Sequence, residues 1–464
     1  MHNFKDVLDK VGEVGVVDEV VQSLARVSGL PGAKIGEMIV FETGEMGQVS
    51  ALLTEQVEVL VFARTSVRVG TRVTRTNEPL KIPVGEAMLG KLVDGLGRGG
   101  DGVEMRNIDV TPEGITTRKK VNKPMETGIS VVDLLVPIGW GQRELVMGDR
   151  KTGKTHLILQ TILTQARLGQ VCIYTMVGKD KAEIKKSQEF FAKHGVAKNV
   201  ITVATSSNDS LGEIFKCPYT AMTIAEYFKD KGRNVLVVLD DMTTHAKFYR
   251  ELALLARRFP GRDSYPGDIF HVHSRLMERA GNFEKGAITC LPVIDTVAGD
   301  MTGYIQTNLM SMTDGHIYFD SNLYFAGRRP AINPFLSVTR VGRQTQNHLR
   351  RALGQEILTT LNNFEKAQSF VRFGAELGES VRQMLAKGER IMKFFNQPQY
   401  DGISANVQTL LSGMVLAGLW EGDNAEKIQQ DYQTKPEFKQ TVDDIVNESQ
   451  DLQSLAAKAK GMTL

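Results

Sequence analysis

The sequence predicts a multidomain α/β protein with a small N-terminal β-barrel, a central domain built on a mostly parallel sheet, and a C-terminal α-helical bundle. Three observations predict it. Short β-branched runs broken by glycine fill residues 14–76, continuous apolar runs alternate with helical stretches over residues 77–345, and apolar residues recur at spacings of three and four over residues 346–464. Residues 1–13 form a short segment ahead of the barrel. A chain of 464 residues exceeds one ordinary hydrophobic core, so two or three domains are expected.

The barrel runs are Val16 to Val21, Met38 to Phe41, Val49 to Leu53, Val57 to Phe62 and Thr71 to Arg75, a spacing that suits short strands closing on themselves. In the central region three strands are clear: Glu144 to Met147, Val171 to Val177 and Val235 to Leu239. Continuous apolar strands separated by helices indicate a parallel sheet covered on both faces, with ligands at the carboxyl ends of the strands. In the last region Leu349, Leu353, Ile357, Leu361 and Phe364 make one helical stripe, and Phe438, Val442, Ile445 and Val446 repeat it.

Composition narrows the function classes. With 42% hydrophobic and 24% charged residues the chain has no compositional case for disorder. Its 56 Lys+Arg against 54 Asp+Glu give a net charge of +2, so no global field gathers nucleic acid and no nucleic-acid partner is expected. Cys172, Cys217 and Cys290 are odd in number and far apart, which suits reduced thiols rather than disulfides or a metal site. The longest apolar stretches, such as Leu410 to Trp420, fall short of the roughly 20 residues that span a bilayer. Met1 to Lys10 carries neither a signal nor a transit pattern, so cytosolic residence is expected.

The sharpest motif is Gly148-Asp149-Arg150-Lys151-Thr152-Gly153-Lys154-Thr155, which follows the strand Glu144 to Met147 and opens a helical run, His156 to Arg167. That is the context a P-loop requires. Its glycines let the backbone aim N–H groups at phosphate oxygens, and the helix N-terminus adds partial positive charge. Lys154 is expected to reach the β- and γ-phosphates of ATP or ADP, and the Thr155 hydroxyl to bind Mg²⁺. A second part is the buried strand Val235 to Leu239 running into Asp240-Asp241. An acid after a strand is by itself an ordinary turn residue. Beside a P-loop, Asp240 becomes the expected metal partner. His271-x-His273 has no third ligand at metal-site spacing and is read as structural.

Several further segments accompany these: Leu254 to Arg262, Tyr265 to Asp268, His273 to Arg279, Arg329-Pro330-Ala331-Ile332-Asn333 and Ser337-Val338-Thr339-Arg340-Val341-Gly342. Together with the P-loop and Asp240-Asp241 they resemble, in order from about Gly12 to Tyr400, the alpha subunit of F-type ATP synthases. The beta subunit of that family has a PAVDP-type segment where this chain has Pro330 to Asn333.

The resemblance implies a RecA-like nucleotide domain that holds MgATP or MgADP with little turnover, in a ring alternating three alpha with three beta subunits. It implies as further partners a central rotary shaft, a peripheral stalk and, indirectly, a membrane ion-translocating sector. The location it implies is the cytoplasmic face of a bacterial plasma membrane, as a peripheral part of the complex. Catalysis in that family falls mainly on beta, where a glutamate activates the attacking water; the matching position here is Lys179, which cannot act as a carboxylate. Arg340 is implied to reach in trans to the phosphates of the neighbouring beta site. Arg329 and Pro330, with Gln397 and Gln399 of Asn396 to Tyr400, are implied to line the base pocket.

The chain departs from the family pattern at Lys151, where a glutamine is usual, at Asp295, where glutamate is usual, and in its short N-terminus, which bears on stalk attachment. Rival readings are homohexameric RecA-like motors. A flagellar-export-type ATPase needs its own catalytic glutamate, against which Lys179 stands. A Rho-like RNA translocase needs aromatics presented for base stacking, whereas Phe41 and Phe62 lie in strands where core packing explains them. A purely structural ring subunit has no need of Lys154 and Thr155.

Overall fold

The computed structural model describes residues 3–63, 67–372 and 378–462, with the side chains of residues 369–372 left aside. It contains an N-terminal barrel, a parallel-rich central sheet and a C-terminal helical domain, as the sequence predicts. By internal packing the chain forms two compact units: Met1–Arg118, Gly169–Ile294 and Thr302–Met312 in the first, Lys119–Leu168, Asp295–Met301 and Thr313–Leu464 in the second.

In the first unit, the segment ahead of the barrel is a helix, Phe4–Val11, begun by the Asn3 side chain on the Lys5 N–H and ended by Gly12 at φ 70°. The barrel strands are β1 (Val14–Val21), β2 (Leu24–Ser28), β3 (Glu37–Phe41), β4 (Met46–Leu52), β5 (Val57–Val61) and β6 (Arg72–Pro79). They close in the order β1-β2-β5-β4-β3-β6, which leaves no open edge. Strand β2 is absent from the sequence reading. A tight turn with Gln22 at φ 51° returns the chain, and Arg26, pairing with Glu19 at 2.7 Å, interrupts the apolar run that would have marked it. Inward residues Val17, Val27, Ile39, Phe41, Val59 and Val73 fill the barrel. Phe41 and Phe62 are both buried, which removes the aromatic platform an RNA translocase would use.

The same unit carries the strands Val171–Lys179, Val200–Ser206, Val235–Asp240 and Ala287–Asp295. Val235–Asp240 lies between Ala287–Asp295 and Val171–Lys179, all parallel, with Val200–Ser206 beyond. Residues 171–177 and 235–240 are buried throughout, as a sheet covered on both faces demands. The helix Leu211–Asp230 packs on it and is itself buried on nearly every side.

In the second unit, Leu145–Gly148 pairs in parallel with Gly315–Phe319, which pairs antiparallel with Val338–Thr339. The helical domain runs through His348–Arg372, Glu379–Phe395, Ala405–Ala417, Ala425–Thr434, Pro436–Glu448 and Leu452–Ala459. Leu349, Leu353, Ile357, Leu361 and Phe364 are all buried, the stripe the spacing predicts. Gly388 lets the second helix approach closely, since a Cβ there would lie 2.2 Å from the Phe364 ring. Val442, Ile445 and Val446 are buried, whereas Phe438 on the same stripe is only half-buried. All three cysteines are buried and unbridged. No described helix is long and apolar enough to cross a membrane.

Candidate nucleotide-binding site

The strand Leu145–Gly148 delivers the chain into the P-loop from a fully buried position. Gly148 must be glycine: its φ is 154°, and a Cβ would sit 2.6 Å from Phe319. Lys151 at φ 64° and Gly153 at φ 110° complete the curl, and helix Lys154–Arg167 starts with no side-chain cap on its first N–H groups. Uncapped donors at a helix start are what phosphate oxygens bind. Thr155 is exposed in that first turn, and Lys151 is exposed on the loop.

Lys154 is buried, with its Nζ donating to the Gly148 and Asp149 carbonyls at 2.6 and 2.7 Å and pairing with Asp295 Oδ1 at 3.1 Å. Arg150 takes the other Asp295 oxygen at 2.9 Å. Burial raises the Asp295 pKa, but the two cations outweigh it and hold the carboxyl below its ordinary range. A carboxylate so stabilised is a weak base, so Asp295 is ill-suited to activating water. The Asp149 carboxylate is turned into the loop's support, accepting from the Thr296 hydroxyl (2.6 Å), the Gly299 N–H (3.0 Å) and the Ser321 hydroxyl (2.7 Å). Only its backbone is left to face a ligand. Thr152 likewise spends its hydroxyl on the Asp149 carbonyl at 2.7 Å.

The expected base pocket divides. Arg329 and Pro330 line a cavity of about 520 Å³ with Asn396, floored by Leu361, Phe364 and Met392. The Arg329 guanidinium lies 3.8 Å above the Tyr324 ring centre and donates to the Tyr324 and Arg328 carbonyls at 2.7 Å each. Gln397 does not join them. Its buried amide accepts from the Ser130 N–H at 3.0 Å and donates to the Gly128 and Asp401 carbonyls at 2.7 and 2.8 Å, so it ties loops together. Gln399 is exposed and is not among the cavity's lining residues. The sequence reading missed the stacking of Tyr400 on His156, at 4.8 Å between ring centres and 17° between planes. The two residues stand 244 positions apart, so their contact leaves no local pattern in the sequence.

Arg340 follows the edge strand Val338–Thr339 and is exposed; its backbone N–H donates to the Asp314 carbonyl at 2.9 Å. Below it, Glu144 is fully buried and donated to by Gln142 at 2.6 Å; burial pushes its carboxyl well above the ordinary range, against the pull of Gln142 and Arg340.

Asp240 belongs to the first unit, at the end of its strand. Both carboxylate oxygens are engaged there: Tyr174 donates to one at 2.9 Å and the Lys179 ammonium to the other at 3.0 Å. Burial lowers the Lys179 pKa, yet Asp240 and Asp241 more than offset it and keep the amine charged. Asp241 caps helix Met242–Leu255 through the Thr244 N–H. Asp240 was expected to give its charge to Mg²⁺; Lys179 already balances that charge, and neither Lys179 nor Tyr174 was read as its partner. The loop's uncapped N–H groups and the exposed Thr155 fit a nucleotide's phosphates, and in the first unit the Asp240 charge is already partly neutralised by Lys179. His273 is buried, 3.1 Å from His245, whereas His271 is exposed, so the two do not converge.

Comparison with known families agrees with this geometry. The model described as "ATP synthase alpha/beta family, nucleotide-binding domain" matches residues 128–339, and that described as "ATP synthase alpha/beta chain, C terminal domain" matches residues 346–461. The first match spans the P-loop, Asp240 and Arg329, and the second the helical domain with Gln397, so the chain belongs to the ATP synthase alpha/beta family.

Proposed function

We propose that this chain is the alpha subunit of an F-type ATP synthase, the rotary enzyme that makes ATP from ADP and phosphate on a transmembrane ion gradient. In this reading it binds MgATP or MgADP without appreciable turnover and lends Arg340 to the neighbouring beta site. Its partners are beta subunits in a three-plus-three ring, a central shaft, a peripheral stalk and the membrane sector, at the cytoplasmic face of the membrane.

The observation that carries the reading is the Lys179–Asp240 ion pair. A hydrolytic site needs a carboxylate to orient and deprotonate water. This chain has an ammonium at the family's position, and Asp295, which pairs with Lys154 and Arg150 of the phosphate loop, is held by those two cations. In this reading the chain's own residues bind and orient phosphates through the loop N–H groups and Lys154, while Lys179 and the cation-held Asp295 are unsuited to act as a base for water. Thr155 would help to hold Mg²⁺, which would offset the negative charge of the phosphates.

Two measurements test this. The purified chain is expected to bind ATP while releasing almost no phosphate, and steady hydrolysis by the lone chain defeats the reading. In the reassembled ring Arg340→Ala is expected to cut turnover by about 10³ to 10⁵, the range for trans arginines, with nucleotide binding to this chain intact. Loss of that binding instead assigns Arg340 to its own site.

A further inference from the structure

Away from the nucleotide loop, the first unit holds a second cavity, of about 180 Å³, lined by barrel residues Leu24, Gln48 and Glu58 and by Phe215, Lys216 and Leu252. Lys216 lies on helix Leu211–Asp230, two residues before Pro218, and only 5% of it is exposed. Among the described residues it makes no ion pair or hydrogen bond; its nitrogen rests 5.5 Å from the Phe215 ring centre and 5.4 Å from that of Tyr219. Aromatic faces offset part of a cation's desolvation, but far less than a carboxylate would.

Every other charge around the cavity has a partner. Glu58 accepts from Ser50 at 2.8 Å and pairs with Arg258 at 3.4 Å, and Asp109 pairs with Arg275 at 3.1 Å. Tyr249 donates to Asp268 at 2.8 Å. Lys216 is thus the one cation at this cavity, among the described residues, that burial leaves uncompensated. Burial, with Arg275 adding to it and Asp109 opposing, brings the amine down to about 8, so roughly a fifth of it is neutral near physiological pH, far more than for an ordinary lysine. Ile35 and Arg258, which also line the cavity, are exposed.

We propose that Lys216 is a covalent modification site, a nucleophilic amine that takes small uncharged aldehydes entering this cavity. The nitrogen lone pair adds to the carbonyl carbon, and a proton moves from nitrogen to the carbonyl oxygen. Loss of water then leaves a C=N bond, with no oxidant or reductant consumed. The room corresponds to about six water volumes, enough for a short aliphatic chain, and the walls are largely apolar.

The test treats the intact chain with limiting butanal and cyanoborohydride, which reduces the C=N bond to a stable amine, and maps the labelled lysines by peptide mass spectrometry. Lys216 is expected to label about tenfold faster than the exposed Lys185 and Lys435 at pH 7.5, the lower pKa outweighing the weaker nucleophile. Its rate is expected to level off above pH about 8. Labelling no faster than exposed lysines, labelling only after urea is added, or protection by millimolar inorganic phosphate each overturns the proposal; the last assigns an anion site instead. No variant is needed, so misfolding cannot mask the result.

Discussion

The P-loop and the end of the strand Val235–Asp240 each set a lysine against an aspartate, and the two pairs have opposite consequences. At the loop, Lys154 divides its ammonium between two carbonyls and Asp295, while Arg150 holds the second Asp295 oxygen. If Lys154 turns to a phosphate, Asp295 still has a cation. At the strand end, Lys179 and Tyr174 occupy both oxygens of Asp240, and among the described residues no second cation takes over if Lys179 leaves. The same chemistry gives an exchangeable contact in one place and a locked one in the other. Separating a buried pair with nothing to replace the partner costs about 3–5 kcal/mol.

The largest expected effect breaks the exchangeable pair. Lys154→Met removes a charged donor worth about 1.5–3 kcal/mol per hydrogen bond to phosphate, so two such bonds predict a loss of ATP affinity of roughly 10² to 10⁴ by titration calorimetry. A change below fivefold would mean that Lys154 stays with its carbonyls and the loop N–H groups hold the phosphates alone. The locked pair should respond in another way. Lys179→Gln frees Asp240 from its neutralising charge, and the preference for MgATP over ATP is expected to rise about tenfold, a modest share of the Coulomb energy two such charges have at 4 Å in a protein-like medium. An unchanged magnesium preference would sink the view that Lys179 competes with the metal for Asp240.

This contrast marks the limit of what the sequence reveals. The P-loop was legible because strand, glycines and helix are contiguous, and Gly148 and Gly153 carry backbone demands that few other residues meet. The helical stripe from Leu349 to Phe364 was legible for the same reason, being one local period. Lys179 could be read as the absence of a carboxylate, but its bond to Asp240 depends on the parallel register that sets Met176 beside Asp240, which no local pattern encodes. Gln397 was read as a base contact from its loop segment; its ties to Gly128 and Ser130 span about half the chain and leave no local pattern. Strand β2 and Lys216 share a cause. A basic residue in an apolar run reads as a solvated face, whereas Arg26 finds Glu19 across a hairpin and Lys216 is buried without a partner.

The smallest expected effect sharpens the comparison from inside the loop. Asp149 is an acid of the P-loop whose carboxylate makes no ion pair among the described residues; its oxygens are held by Thr296, Gly299 and Ser321. Burial raises its pKa, but those donors and the nearby charge of Lys154 outweigh burial and leave it below the ordinary value. A carboxyl with a depressed folded-state pKa stabilises the fold above its unfolded pKa of about 3.9, and that stabilisation fades as the pH falls through the lower folded value. Asp149→Asn keeps an acceptor but loses the charge, so a destabilisation of about 1–2 kcal/mol is expected at pH 7 from urea midpoints, shrinking below about pH 4. ATP affinity should change far less than in Lys154→Met, because Asp149 supports the loop while Lys154 serves the ligand. A loss of affinity as large as that of Lys154→Met would place both residues in one ligand-responsive unit, and the distinction between the loop's support and its exchangeable lysine would fail.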